Sequence, residues 1–214
     1  MHLVSCYFNR QPVIHKKNAN MNNMKQKKVY IVHGYQASPN DHWFPWLSRK
    51  VHAAGHFSKR VMLPESSQPN FEVWQQSLAL QIPHLNEDTI IVAHSLGCAA
   101  VLHYLTQHFQ KAAKNIQAGI FVSGFAAPLS VIPELNEFIA AAKLDSVKLQ
   151  TSMPLAFCLL SSNDPIVPPP LTLQLSNLLN AQCFEVKKAG HFMRKDGYSE
   201  FHEIWELIKP LLSS

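Results

Sequence analysis

The chain has 214 residues, 47% of them hydrophobic and 15% charged, which suits one globular domain with a well-buried core. No apolar run approaches the roughly eighteen residues of a membrane-spanning helix, so a membrane span is not expected. The net charge of +5 misleads: residues 1–28 hold six basic residues (Arg10, Lys16, Lys17, Lys25, Lys27, Lys28) and no acid, leaving a net charge of −1 elsewhere. A nearly neutral body carries no nucleic-acid footprint.

Residues 1–27 read as a basic, Asn-, Lys- and Gln-rich extension expected to be disordered, and residues 28–214 as the folded domain. The extension lacks the basic, apolar, small-residue order of a secretory signal, and Met24 is a plausible native start. Four cysteines (Cys6, Cys98, Cys158, Cys183) have no metal-ligand spacing. They are expected to be free thiols in a reducing, cytoplasmic setting.

From residue 28, short apolar runs alternate with amphipathic ones. Residues 28–32 predict a strand and 41–54 a helix that ends at Gly55. Residues 60–63 predict a second strand, stopped by Pro64. A helix over 71–85 puts Phe71, Trp74, Leu78 and Ile82 on one face. Residues 89–93 form the third strand and 95–109 its helix; residues 116–123 form the fourth strand. Residues 124–151 offer the place for a lid, with a short helical run over 134–143, too short for a cap domain. Strands over 154–160 and 183–186, with helices over 168–179 and 199–212, complete the chain. Strands alternating with helices, mostly as continuous apolar runs, imply a compact α/β fold. Its six-stranded, mainly parallel sheet has helices on both faces and no separate cap domain.

Function in such sheets gathers at the carboxyl ends of the strands. The third strand runs into Ala93-His94-Ser95-Leu96-Gly97, and a helix starts at once. That is the layout of a nucleophile elbow, whose crowded turn requires small residues two places before and after the serine. Ala93 and Gly97 fill those places, with alanine standing where the first glycine of Gly-x-Ser-x-Gly is usual. A serine capping an ordinary helix is the competing reading.

A serine hydroxyl needs a base within reach, and the base needs an orienting carboxylate. The hydrolase chain order is serine, acid, histidine. Ser95, Asp164 and His191 occur in that order, each after an expected strand. Asp164 could otherwise be a turn aspartate of Asp-Pro. Asp145 lies in a polar linker and Asp196 beyond the histidine, so both are worse placed. The oxyanion hole is assigned to the N–H groups of Leu96, which follows the serine, and Tyr35, in the loop after the first strand. Trp43, Trp46, Phe125 and Met193 are expected to wall a substrate pocket. His33 and His94 read as structural, and the spaced pair His52 and His56 lacks a third metal ligand. No cofactor or metal is needed. A histidine base must be neutral, so activity is expected to rise with pH through about 6.5, the ordinary histidine value.

Five segments resemble one known group: His33-Gly34-Tyr35; Asp41-His42-Trp43-Phe44-Pro45-Trp46-Leu47; Ala93 to Cys98; Asp164-Pro165-Ile166-Val167-Pro168; and Gly190-His191-Phe192. The chain is similar over residues 28–212 to the YdeN-like small serine hydrolases, the group that includes the retinoblastoma-binding protein hydrolase. The resemblance implies a compact α/β hydrolase with little or no cap. It also implies a triad on Ser95, Asp164 and His191 and hydrolysis of small carboxylic esters or amides. Two alternatives from other classes are a protein-interaction module on a hydrolase scaffold and a cysteine hydrolase using Cys98. Any protein partner is left open.

Overall fold

The computed structural model describes residues 25–109 and 115–213. The expectations for Cys6, for the possible start at Met24 and for most of the basic extension lie outside the described residues. The fold's contacts already include Lys25 and Lys27, whose ammonium groups lie 2.7 and 3.5 Å from the Asp88 carboxylate.

Six strands form one sheet in the order β2-β1-β3-β4-β5-β6, every neighbouring pair parallel. The strands are β1 (Lys28–Val32), β2 (Phe57–Val61), β3 (Thr89–His94), β4 (Ala118–Val122), β5 (Leu155–Ser161) and β6 (Gln182–Val186). The helices are α1 (Phe44–Ala53), α2 (Phe71–Gln81), α3 (Leu96–His108), α4 (Asn136–Ala141), α5 (Ser146–Ser152), α6 (Pro169–Leu179) and α7 (His202–Leu212).

Alternate strand residues feed two cores, as a period of two demands. Val29, Ile31, Ile90, Val92 and Ile120 pack with Phe44 and Leu47 of α1 and Ile204 and Ile208 of α7. Tyr30, Val32, Ile91, Ala93 and Phe121 pack on the other face with Trp74, Leu102, Leu149 and Leu175 of α2, α3, α5 and α6. Central strands β3 and β4 are buried at every residue. Edge strands β2 and β6 are not, and they carry the charges Lys59, Arg60 and Glu185.

Apart from shifted ends of α2, α7 and β4, three differences from the sequence expectation have a local cause. Strand β2 begins three residues earlier, at Phe57, because Gly55 (φ 86°) turns the chain straight from α1 into register with Lys28. Helix α1 begins at Phe44 instead of residue 41, since His42 adopts a left-handed conformation (φ 51°) that a helix cannot contain. The supposed linker around Asp145 holds helix α5, whose first turn is capped by the Asp145 carboxylate accepting from the Lys148 N–H at 3.1 Å. Among the described residues no helix is long and apolar enough to cross a membrane.

Candidate active site

Strand β3 ends at His94, helix α3 begins at Leu96, and Ser95 between them has φ 55° and ψ −129°. A non-glycine residue held at positive φ is strained and persists only where its surroundings fix it. Here the fixing is dense. Ser95 N–H donates to the Val122 carbonyl at 2.9 Å, and Cys98 N–H donates to the Ser95 carbonyl at 2.9 Å. Gly97 lies so close to β1 that an added Cβ would sit 2.2 Å from the His33 carbonyl oxygen. Only glycine allows α3 to start against the end of β1. The Ser95 side chain accepts no capping bond from its helix, unlike an ordinary N-cap serine.

Asp164 follows β5 and His191 follows β6. His191 Nδ1–H donates to the Asp164 carboxylate, at 2.8 Å to Oδ2 and 3.0 Å to Oδ1. The carboxylate also accepts from the Ser123 hydroxyl at 2.6 Å and from the Ile166 and Val167 N–H groups, both at 2.9 Å. Burial pushes the Asp164 carboxyl up, but the bond and charge of His191, the Ser123 hydroxyl and the Val167 N–H outweigh it and hold the carboxyl below the usual range. With a carboxylate on Nδ1, the imidazole is held as the tautomer that leaves Nε2 with a lone pair.

The histidine loop is fastened to the acid's loop. Asn163 Oδ1 accepts from Gly190 N–H at 2.9 Å, and Ser161 Oγ accepts from Ala189 N–H at 3.1 Å. Asp196 Oδ2 accepts from the N–H groups of His191 (3.0 Å) and Met193 (3.1 Å). Gly190 (φ 57°) allows this packing, since a Cβ there would meet the Asp196 carboxyl carbon at 2.5 Å.

Ser95 and His191 open on a cleft of about 170 Å³. Tyr35, His42 and Met193 line it, with Leu129, Ile132 and Leu135 of the 124–151 segment forming its apolar side. Tyr35 and Leu135 also border a larger groove of about 460 Å³, rimmed by Glu72, Glu134 and Glu137. Leu96 N–H belongs to the first turn of α3, whose amides have no intrahelical acceptor. Three of the four expected pocket residues lie elsewhere. Trp43 and Phe125 are fully buried in the two cores, and Trp46 is buried on α1 with its ring edge-on to His202. Met193 alone of the four lines the cleft. The reason is direction: Trp43 and Trp46, at the start of α1, turn into the core on one face of the sheet, and Phe125 into the core on the other.

His52 and His56 do not form a pair. His52 Nε2 bonds the backbone of Ser58, and Lys27 N–H donates to His56 Nδ1 beyond the end of α1. Among the described residues no cluster of three potential ligands could hold a metal ion. Cys98 and Cys158 are buried free thiols; burial pushes both thiols far above their ordinary range, and the Cys98 side chain points at the Val122 carbonyl. Sequence reasoning missed Ser123 and Asp196. Ser123 carries no local signal, because its partner Asp164 lies 41 residues away, whereas Asp196 bonds His191 and Met193 within its own loop and reads in sequence only as a rival acid.

Proteins in which a parallel sheet presents a serine on a strained strand-to-helix turn are α/β hydrolases, and this chain is one. Residues 29–210 match the model of the serine hydrolase family, and the chain belongs to that family of enzymes. It is 36% identical to the hydrolase YdeN of Bacillus subtilis (strain 168) over 187 residues, which cover 87% of this chain and 97% of that protein. It is 23% identical to the serine hydrolase RBBP9 of Rattus norvegicus over 172 residues, 80% of this chain and 87% of the relative. The crystal structure of the B. subtilis ydeN gene product superposes with a TM-score of 0.82, covering 88% of this chain and all of that one at 35% identity. Est1E from Butyrivibrio proteoclasticus shares the fold at a TM-score of 0.63 and 13% identity, over 90% and 91% of the two chains.

Proposed function

We propose that the chain hydrolyses small carboxylic esters or amides through an acyl-enzyme on Ser95. His191 Nε2 takes the Ser95 proton as the hydroxyl attacks the carbonyl carbon, and returns it to the leaving group. Asp164 holds the imidazole in the required tautomer and stabilises the imidazolium as it forms. The N–H groups of Leu96 and Tyr35 hold the oxyanion, each such donor commonly being worth about 3 kcal/mol in the transition state. Water, activated by His191, then releases the acyl group.

The observation that carries this reading is the 2.8 Å bond from His191 to a buried carboxylate beside a serine held at φ 55°. A buried carboxylate held by four donors and a nucleophile held in strained backbone form an arrangement that packing alone does not require. The cleft of about 170 Å³ suits a small acyl group, and the neighbouring groove leaves room for the remainder of a substrate. We assign the catalytic domain to residues 28–214 and residues 1–27 to an extension whose last residues, Lys25 and Lys27, pack onto it. The buried free thiols favour a cytoplasmic setting.

A fluorophosphonate probe tests the reading. Wild-type protein should be labelled at Ser95, and Ser95→Ala should lose the label while keeping its melting temperature. A well-folded wild type that takes no label, or is labelled elsewhere, overturns it.

A further inference from the structure

We propose that His94 is a positioning residue that sets the base against the nucleophile, and that the His42–Phe44 segment is the cage holding its ring. This rests on the reading of Ser95 and His191 as nucleophile and base.

The His94 ring is 2% exposed, and its Nε2 lies 2.9 Å from the backbone carbonyl of His191, 97 residues away. A carbonyl can only accept, so Nε2 carries the proton, and burial with no acceptor facing the other ring nitrogen among the described residues keeps His94 neutral. Its Nδ1 is then a buried lone pair, and it has no hydrogen-bond partner among the described residues. An aliphatic side chain would fill this place without a stranded acceptor. The imidazole is explained by the bond it makes.

That bond has a distinct geometric role. Asp164 refers His191 to β5, and Asp196 refers it to its own loop. His94 is covalently joined to Ser95, so its bond refers the base to the nucleophile. The two residues whose separation governs proton transfer are thereby tied, from the nucleophile's immediate neighbour to the base's own carbonyl.

The cage accounts for the aromatic run His42-Trp43-Phe44 that leads into α1. Trp43 and Phe44 place their ring centroids 6.2 and 5.9 Å from that of His94, and His42 lies at 5.9 Å on the cleft side. Trp43 is itself held between Phe44 (4.6 Å) and Phe201 (5.3 Å). His42 adds a second tie, its Nδ1 accepting from Arg194 N–H at 3.2 Å in the histidine loop. The aromatic segment expected to wall the substrate instead orients the ring that orients the base.

The test compares His94→Leu with His94→Gln, whose amide nitrogen reaches about as far from the backbone as imidazole Nε2. Rates are expressed per active site titrated with fluorophosphonate. His94→Leu should lower kcat and the labelling rate by about 10- to 100-fold, the order expected when reacting groups drift by up to an ångström, with KM changed less than about threefold. His94→Gln should restore most of that loss. A role in stability alone would lower the melting temperature and the active fraction of both variants while leaving kcat per active site at the wild-type value, and that outcome overturns the proposal. Should His94→Leu fail to fold, nitrogen NMR of the wild-type chain decides. The His94 ring must be the neutral Nε2–H tautomer, and an Nδ1–H tautomer overturns the proposal. Absence of label on wild-type Ser95 defeats the nucleophile assignment instead, so the two failures are distinct.

Discussion

Gly97→Ala tests how tightly the elbow and the first strand are fitted. The added Cβ would sit 2.2 Å from the His33 carbonyl oxygen, whereas real Cβ atoms essentially never come within 3.0 Å of such a neighbour. The two backbones must therefore part by at least about 0.8 Å. One of them carries Ser95 and the Leu96 N–H, and the other leads into Gly34 and the Tyr35 N–H. Parting them spreads the two proposed oxyanion donors by the same distance. A misplacement near 1 Å costs on the order of 100-fold in rate, and overpacking costs about 1–3 kcal/mol of stability. In a chain of this size that lowers the melting temperature by about 2–4 °C per kcal/mol. Turnover of p-nitrophenyl acetate, normalised to titrated sites, should show kcat down about 100-fold with little change in KM. Gly55→Ala is the control: its φ is 86°, but nothing lies within 4 Å of the added Cβ and it is remote from the cleft. It should lose about 1 kcal/mol of stability and no kcat. If Gly97→Ala keeps wild-type kcat per site, the two N–H groups are not the oxyanion hole.

Asp164→Asn should lower kcat by about 10³- to 10⁴-fold with KM nearly unchanged, because the amide no longer fixes the His191 tautomer; a loss under tenfold would separate Asp164 from catalysis. Stability should fall on acidification in two stages. Burial holds His94 well below the ordinary histidine range and lowers His33 as well. Below about pH 6.5 the unfolded chain takes up protons that these folded side chains resist, so their contribution is complete above that pH and is lost beneath it. The loss is at most about 1.4 kcal/mol per histidine per pH unit. Asp164, lowered in the fold, adds stability above about pH 4 that disappears on further acidification. Urea midpoints at pH 7.5, 5.5 and 3.5 measure both stages, and equal midpoints at the first two pH values refute the histidine argument. Iodoacetamide at neutral pH should leave activity intact, since Cys98 is fully buried and burial raises its thiol; rapid inactivation would revive a cysteine nucleophile.

The parts of the fold legible in sequence are those where one requirement dominates. β3 is buried on both faces, so Thr89 to Ala93 reads as an unbroken apolar strand, and the crowding at Ser95 demands the small residues that reveal it. Edge strand β2 has a solvated side, and Ser58 and Lys59 made its start read as loop. Seven-residue α5 has too few turns for a periodic pattern and owes its start to the Asp145 cap. Trp43 and Phe125 show the limit for side chains. An aromatic residue near a site has the same local sequence whether it faces substrate or core, and the helix or loop that carries it decides. His94 was legible as structural, but its partner lies 97 residues away and is brought to it only by the order of the strands.

That order also governs when the chain becomes an enzyme. β1, β3 and β4 lie side by side, yet the acid arrives with β5 and the base only after β6, at the far edge. Phe192 and Phe201, which bury the histidine loop against Trp43, belong to the last part of the chain, and α7 seals the same core. The segment from β1 to β4 contains the elbow, but not the acid and base proposed to activate its serine. On the proposed triad, hydrolytic power therefore requires β5, β6 and the loop after β6 to be in place.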